Sequence, residues 1–234
     1  MYFSWSGIRR ISGLLFLVMN HSRGGMNMEH SWILILAMIG HILCVYADRL
    51  LLCTPGGQFS FSDMKDNTKM EKLFNAKPEN DPLRSIVLGS LAMFLQFFGY
   101  LALGIWMRQY SALWANLMIV GAAMIYTFGL AHHILGCSAE WIYIKSGHTE
   151  EGWKLTNDFF GKTSATMIGC YAGILLFSVA HFVPVVMGMT PLPAWACVFN
   201  LLPLFLVQAP FNIPGAGNIA GAAMYLGLFI LFLI

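Results

Sequence analysis

Six apolar blocks limit what this chain can become. They lie at 32–53, 86–107, 112–136, 164–188, 193–211 and 216–234. Each is near the ~20 residues that a helix needs to cross the hydrocarbon core of a bilayer. In hydrocarbon every backbone N–H and C=O must be satisfied within the segment, so the blocks are expected to be helices. Only 10% of the 234 residues are charged and 58% are hydrophobic, whereas a soluble domain carries about 25% charged residues. The expected fold is all-α: a polytopic transmembrane bundle of six spanning helices. The fifth block is the weakest, because Pro203 and Pro210 interrupt it. Trp32, Trp106, Trp114, Trp141 and Trp195 stand near block ends, as interfacial aromatics do.

Charge placement orients the bundle. Let side A be the side where the first block begins, and side B the other. Side B then carries Arg49, Lys65, Lys69, Lys72, Lys77, Arg84, Lys145, Lys154 and Lys162, against Arg108 on side A, joined there by Arg9, Arg10 and Arg23 if translation starts at Met1. The positive-inside rule makes side B cytoplasmic and both termini external, in a bacterial inner (plasma) membrane. The connections 54–85 and 137–163 are accordingly read as cytoplasmic loops. Within 54–85, Ser60 and Asp63 have capping-box spacing. An apolar stripe through Phe61, Met64 and Leu73-Phe74 fits a surface helix over 61–76 or a solvated loop with a helical turn.

The first 27 residues read differently. Arg9 and Arg10 precede an apolar run too short to span, with no cleavage-site pattern after it. Arg23-Gly24-Gly25 is what a purine-rich ribosome-binding sequence would encode in frame, with Met26 and Met28 just downstream. The expectation is a start at Met28, with 1–27 not translated in vivo and 28–234 a single six-helix domain. The net charge of +2 and the lack of a basic patch with interleaved aromatics exclude a nucleic-acid partner. The bilayer is the expected partner, together with a second copy of the chain as homo-oligomer. The five cysteines have no Cys-x-x-Cys spacing and read as small buried hydrophobes.

The informative residues are the polar ones inside apolar blocks. Ionisable groups at that depth are costly and mark function by default. At 100° per residue, Ala122, Tyr126, Gly129, His133, Cys137 and Glu140 fall within about 80° of one another. His132 points about 100° away. His41, Cys44 and Asp48 share one face of the first helix at i, i+3 and i+7. Asp48, His133, Glu140, Gln208, Asn212 and Asn218 all belong to the side B half, with His41 and Gln96 near the middle. His181 lies far from side B and reads as a lone hydrogen-bonded histidine. The pocket candidates are His41, Asp48, His133, Glu140, Gln96 and Asn218. The opening of the last block, Pro214-Gly-Ala-Gly-Asn-Ile-Ala-Gly221, reads as close packing through Gly217 and Gly221. The alternative there is an anion held on free helix N–H groups.

The Ala47-Asp48-Arg49 end of the first helix, the polar connection and the 214–221 opening together resemble bacterial multi-pass membrane proteins of an uncharacterised family. The resemblance implies a bacterial six-helix protein without an assigned activity, and it transfers no catalytic residue.

Three functions fit these residues. The first is a pocket that binds or conducts a small solute, ion or proton. The second is an intramembrane metal-dependent hydrolase or transferase acting on a lipid-like substrate. It needs His41, Asp48 and His133 to converge on zinc or iron, although no cofactor is expected and the compact His-Glu-x-x-His and Gly-x-Ser-x-Gly signatures are absent. The third is an interaction protein whose polar groups join helices. Whether the chain is an enzyme is therefore left open at this level.

Overall fold

The fold is given by a computed structural model that describes residues 31–233. The expected extension at 1–27 and start at Met28 lie outside the described residues.

The first helix, α1, runs Trp32–Leu52 and leads into a two-residue hairpin. Its strands β1 (Cys53–Thr54) and β2 (Gly57–Gln58) pair antiparallel across Pro55-Gly56. A 3-10 turn at Phe61–Lys65 and the short helix α2 (Asn67–Phe74) follow. Next come α3 (Asp81–Met107), α4 (Ala112–Lys145), α5 (Glu150–Thr163) and α6 (Ala165–Val186). A 3-10 turn at Ala194–Val198, α7 (Leu201–Gln208), a 3-10 turn at Ala209–Phe211 and α8 (Ala216–Leu233) complete the described chain.

The all-α expectation holds, and the helix count differs from it. Among the described residues five helical stretches, not six, are long and apolar enough to cross a membrane, together with a shorter apolar run at Leu201–Phe211. Proline explains the difference, because it lacks an N–H and stops a helix from continuing through it. Pro193 precedes the 3-10 turn at Ala194–Val198, Pro203 sits in the opening turn of α7, and Pro210 lies in the 3-10 turn at Ala209–Phe211. Asn212, in left-handed conformation at φ 48°, ends that turn. The eight residues of α7 rise only about 12 Å.

The neighbouring helices pack in the order α6, α4, α3, α1, α8, α7. The 3-10 turn at Ala194–Val198 and α7 return to α6 and close the arrangement. Asn200 makes the joint: its Nδ2 donates to the Ser178 carbonyl at 2.8 Å, and its Oδ1 accepts from the Leu202 amide. Helix α8 begins beside Asp48 and ends with Phe232 against Trp106. It therefore points the same way as α6, and the stretch 187–215 brings the chain back along the bundle between them. The main core holds Leu34, Tyr100, Leu103, Trp106, Phe177, Met224 and Tyr225. Trp106 is thus a core residue and not an interfacial one.

Both connections on side B are folded rather than looped. Helix α4 continues to Lys145, and α5 begins at Glu150. Thr149 caps α5 by accepting from the Gly152 amide, and Glu150 and Glu151 in its first turn suit the helix dipole. The apolar stripe of 54–85 packs in large part on protein. Met64, Met70, Leu73 and Phe74 form a second small core with Tyr143, backed by Trp153. Trp153 Nε1 donates to the Met64 carbonyl at 2.8 Å, and the Tyr143 hydroxyl donates to Asn67 Oδ1 at 2.9 Å. The capping box is present, with the Ser60 amide donating to Asp63 Oδ2 at 2.8 Å. Pro82 stands in the first turn of α3, which starts at Asp81, ahead of the expected 86.

Candidate functional site

Helical spacing sets His41, Cys44 and Asp48 on the inner face of α1, where all three line one cavity. The first turn of α8 brings Asn218 against that face. Asn218 Nδ2 donates to Asp48 Oδ2 at 2.7 Å, while its Oδ1 lies 3.0 Å from His41 Nδ1. Helix α3 adds Gln96, whose Nε2 donates to the same Oδ1 at 3.2 Å. The Tyr126 hydroxyl on α4 donates to Gln96 Oε1 at 3.3 Å. The Tyr100 hydroxyl stands 3.4 Å from His41 Nε2.

The proton directions follow from what each group can do. An amide oxygen only accepts, so His41 carries its hydrogen on Nδ1 and offers Nε2 to Tyr100. On the other side of Asp48, His133 Nδ1 faces Asp48 Oδ1 at 3.8 Å. His133 Nε2 is 3.0 Å from the Ser85 carbonyl and 3.4 Å from Ser85 Oγ. The Ser85 hydroxyl donates its single hydrogen to the Ala47 carbonyl at 2.8 Å. Towards His133 both Ser85 oxygens are therefore acceptors, and the ring hydrogen sits on Nε2. A neutral ring so fixed turns a lone pair towards the carboxylate. At 3.8 Å the imidazole nitrogen and the carboxylate are near neighbours across the cavity wall without a direct hydrogen bond.

Two glycines make room for the two imidazoles. A Cβ at Gly221 would lie 2.2 Å from His41 Cε1, and one at Gly89 would lie 2.2 Å from His133 Nε2. Gly221 is thus a seat for a histidine ring and not merely half of a small-residue pair.

The cavity bounded by these groups measures about 430 Å³, within the size range of small-molecule sites. Tyr100, Tyr126, Tyr171 and Phe205 supply aromatic walls, and Met93 and Met167 supply thioethers. Asp48 is the one carboxylate among its described lining residues, and they include no lysine or arginine. The start of α8 lies beside a carboxylate of the chain itself: Asp48 Oδ2 is 3.3 Å from where a Cβ of Gly215 would stand. The dipole of α8 favours that negative charge, which takes the place expected for an external anion.

A family model matches residues 19–234, nearly the whole chain. The chain belongs to DUF6796, a family of unknown function. No curated protein and no solved structure matches it. The range that matches DUF6796 contains every helix from α1 to α8 and so every residue of the network.

Five of the six residues singled out by sequence, His41, Gln96, Asp48, His133 and Asn218, meet around this one cavity. Glu140 does not join them. It is buried one helix turn beyond Cys137 and pairs with Lys77 at 2.5 Å. Lys77 Nζ also donates to the Leu51 carbonyl at 2.6 Å and lies 5.3 Å from the Phe74 ring centroid. As for a metal, Asn218 stands between His41 and Asp48, so the trio does not converge. Among the described residues no three His, Cys, Asp or Glu side chains come close enough to hold one. His132 also lines the cavity, 3.3 Å from Thr166 Oγ1. His181 is fully buried elsewhere, 3.4 Å from Asn200 Nδ2. Gln208 turns back to donate to the Leu204 carbonyl, and the Asn212 carbonyl accepts from Gln58 at 2.7 Å.

Sequence reasoning missed Lys77 and Ser85. Lys77 sits in a polar connection that looks solvated, and nothing local announces its burial. Ser85 had one readable signal, its place four residues before Gly89 on the face of α3 that meets His133.

Proposed function

We propose that this is a multi-pass protein of the bacterial plasma membrane whose central cavity binds a small solute and passes a proton through the Asp48–His133 pair. The single observation that carries the reading is this pair, a carboxylate and an imidazole 3.8 Å apart at the wall of a 430 Å³ cavity. A network serving only to join helices would have no need of a half-buried carboxylate facing open volume. In this reading 187–215 is the sixth crossing, broken into turns, and side B faces the cytoplasm. Arg49, Lys65, Lys69, Lys72, Arg84, Lys145, Lys154 and Lys162 are exposed on side B against Arg108 on side A, which supports that orientation.

The test is proton flux in liposomes that hold a trapped pH dye, with potassium and valinomycin clamping the potential. Wild-type protein dissipates an imposed pH step faster than protein-free liposomes do. Asp48→Asn and His133→Gln return the rate to the protein-free level. A wild-type rate equal to that of empty liposomes would overturn the reading.

A further inference from the structure

We infer that the occupant of the cavity is a monovalent organic cation with a small apolar body, whose binding displaces the proton of the Asp48–His133 pair. The inference rests on the solute-binding reading and names the class of solute.

Charge and shape carry it. The described cavity wall presents the Asp48 carboxylate and no lysine or arginine, so no permanent positive charge there attracts an anion. Tyr100, Tyr126, Tyr171 and Phe205 line the same cavity, and aromatic rings are groups that attract ammonium ions. The thioethers of Met93 and Met167 and the side chains of Ile125 and Ile174 line the remaining wall, which suits a hydrocarbon body.

Charge balance then dictates exchange. With the pair holding its one proton, Asp48 and His133 together are neutral. An organic cation added beside Asp48 would bring an uncompensated charge into an apolar site, which is costly. Loss of one proton to water as the cation arrives leaves the total unchanged. No bond in the solute is made or broken; the proton leaves from His133 Nδ1 or from the Asp48 carboxyl, and His133 remains neutral with its hydrogen on Nε2. The titratable groups around Asp48 are His41 and Cys44 on its own helix, and His132, His133, Cys137 and Tyr126 on α4. Tyr100 on α3 and Cys170 and Tyr171 on α6 complete the set. Helix α8 faces Asp48 with the amide of Asn218, which does not titrate.

The test is calorimetric titration of the purified full chain with three probes that share one ring: benzyltrimethylammonium, benzyl alcohol and benzoate. A quaternary ammonium carries no proton of its own, so any proton released comes from the protein. The cation should bind about tenfold tighter than the alcohol, with benzoate weakest. The heat should vary with buffer ionisation enthalpy as release of about one proton per cation requires. Asp48→Asn should reduce the cation to the affinity of the alcohol and abolish proton release. Alcohol or benzoate binding as tightly as the cation would overturn the cation assignment while leaving a solute cavity in place. Cation binding without proton release would overturn the exchange. Failure of all three probes to bind would overturn the inference, while the proton-flux measurement judges the underlying reading separately.

Discussion

Lys77 and Glu140 are buried to 0% and 5% side-chain exposure, and such a pair is held more by the cost of separating it than by its net attraction. Lys77→Met leaves a carboxylate buried alone and should cost about 3–5 kcal/mol of stability. The double change Lys77→Met with Glu140→Leu should return to wild-type stability or exceed it. Thermal unfolding in detergent checks both, and a double variant as weak as the single one would show that the pair is needed for more than mutual compensation. Such a contact cannot be read from spacing. Glu140 shares a helical face with His133, which placed it with the cavity, but the cation that claims it arrives from a separate connection. By contrast, the grouping of His41, Cys44 and Asp48 follows from helical geometry alone. Gln96 and Asn218 were legible because amides deep in apolar helices need partners.

Glycine positions decide how closely the helices approach. Alanine for glycine inside a helix ordinarily gains up to about 1 kcal/mol in propensity. At Gly89 and Gly221 the added carbon would fall 2.2 Å from an imidazole atom, and such overpacking costs about 1–3 kcal/mol. Gly89→Ala and Gly221→Ala should therefore lower the melting temperature, while Gly161→Ala, with nothing within 4 Å of its Cβ, should not. Asn200→Ala removes the bond to Ser178 that fixes the start of α7 and should cost about 1–3 kcal/mol, visible as faster amide exchange across 194–208. In the small core on side B, burial pushes the Asp63 carboxyl up. The Lys69 ammonium, at 2.5 Å, and the Ser60 amide outweigh it and hold the group below its ordinary value. A depressed carboxyl stabilises the fold above its unfolded pKa of about 3.9 and loses that contribution as pH falls through the folded value. Amide protection over 60–74 should accordingly collapse in acid, and Asp63→Asn should weaken it at neutral pH and flatten the pH response. The sequence stripe in this region was correctly apolar; what periodicity could not reveal was that Tyr143 and Trp153, from helices far along the chain, would cover it in place of lipid.

At the scale of the whole molecule, the helices surround one cavity, and the chain returns between α6 and α8 through a stretch broken by Pro193, Pro203 and Pro210. Hydropathy alone located this stretch, and proline chemistry explains why it is not a full helix. The account of the whole turns on where protons sit around Asp48. Ring-nitrogen magnetic resonance of His133 in lipid-reconstituted protein, assigned with His133→Gln, measures this directly. The expected ring carries its hydrogen on Nε2, with Nδ1 turned towards Asp48, and Asp48→Asn should shift the Nδ1 resonance. A ring protonated on Nδ1 with Nε2 bare, unchanged by Asp48→Asn, would contradict it.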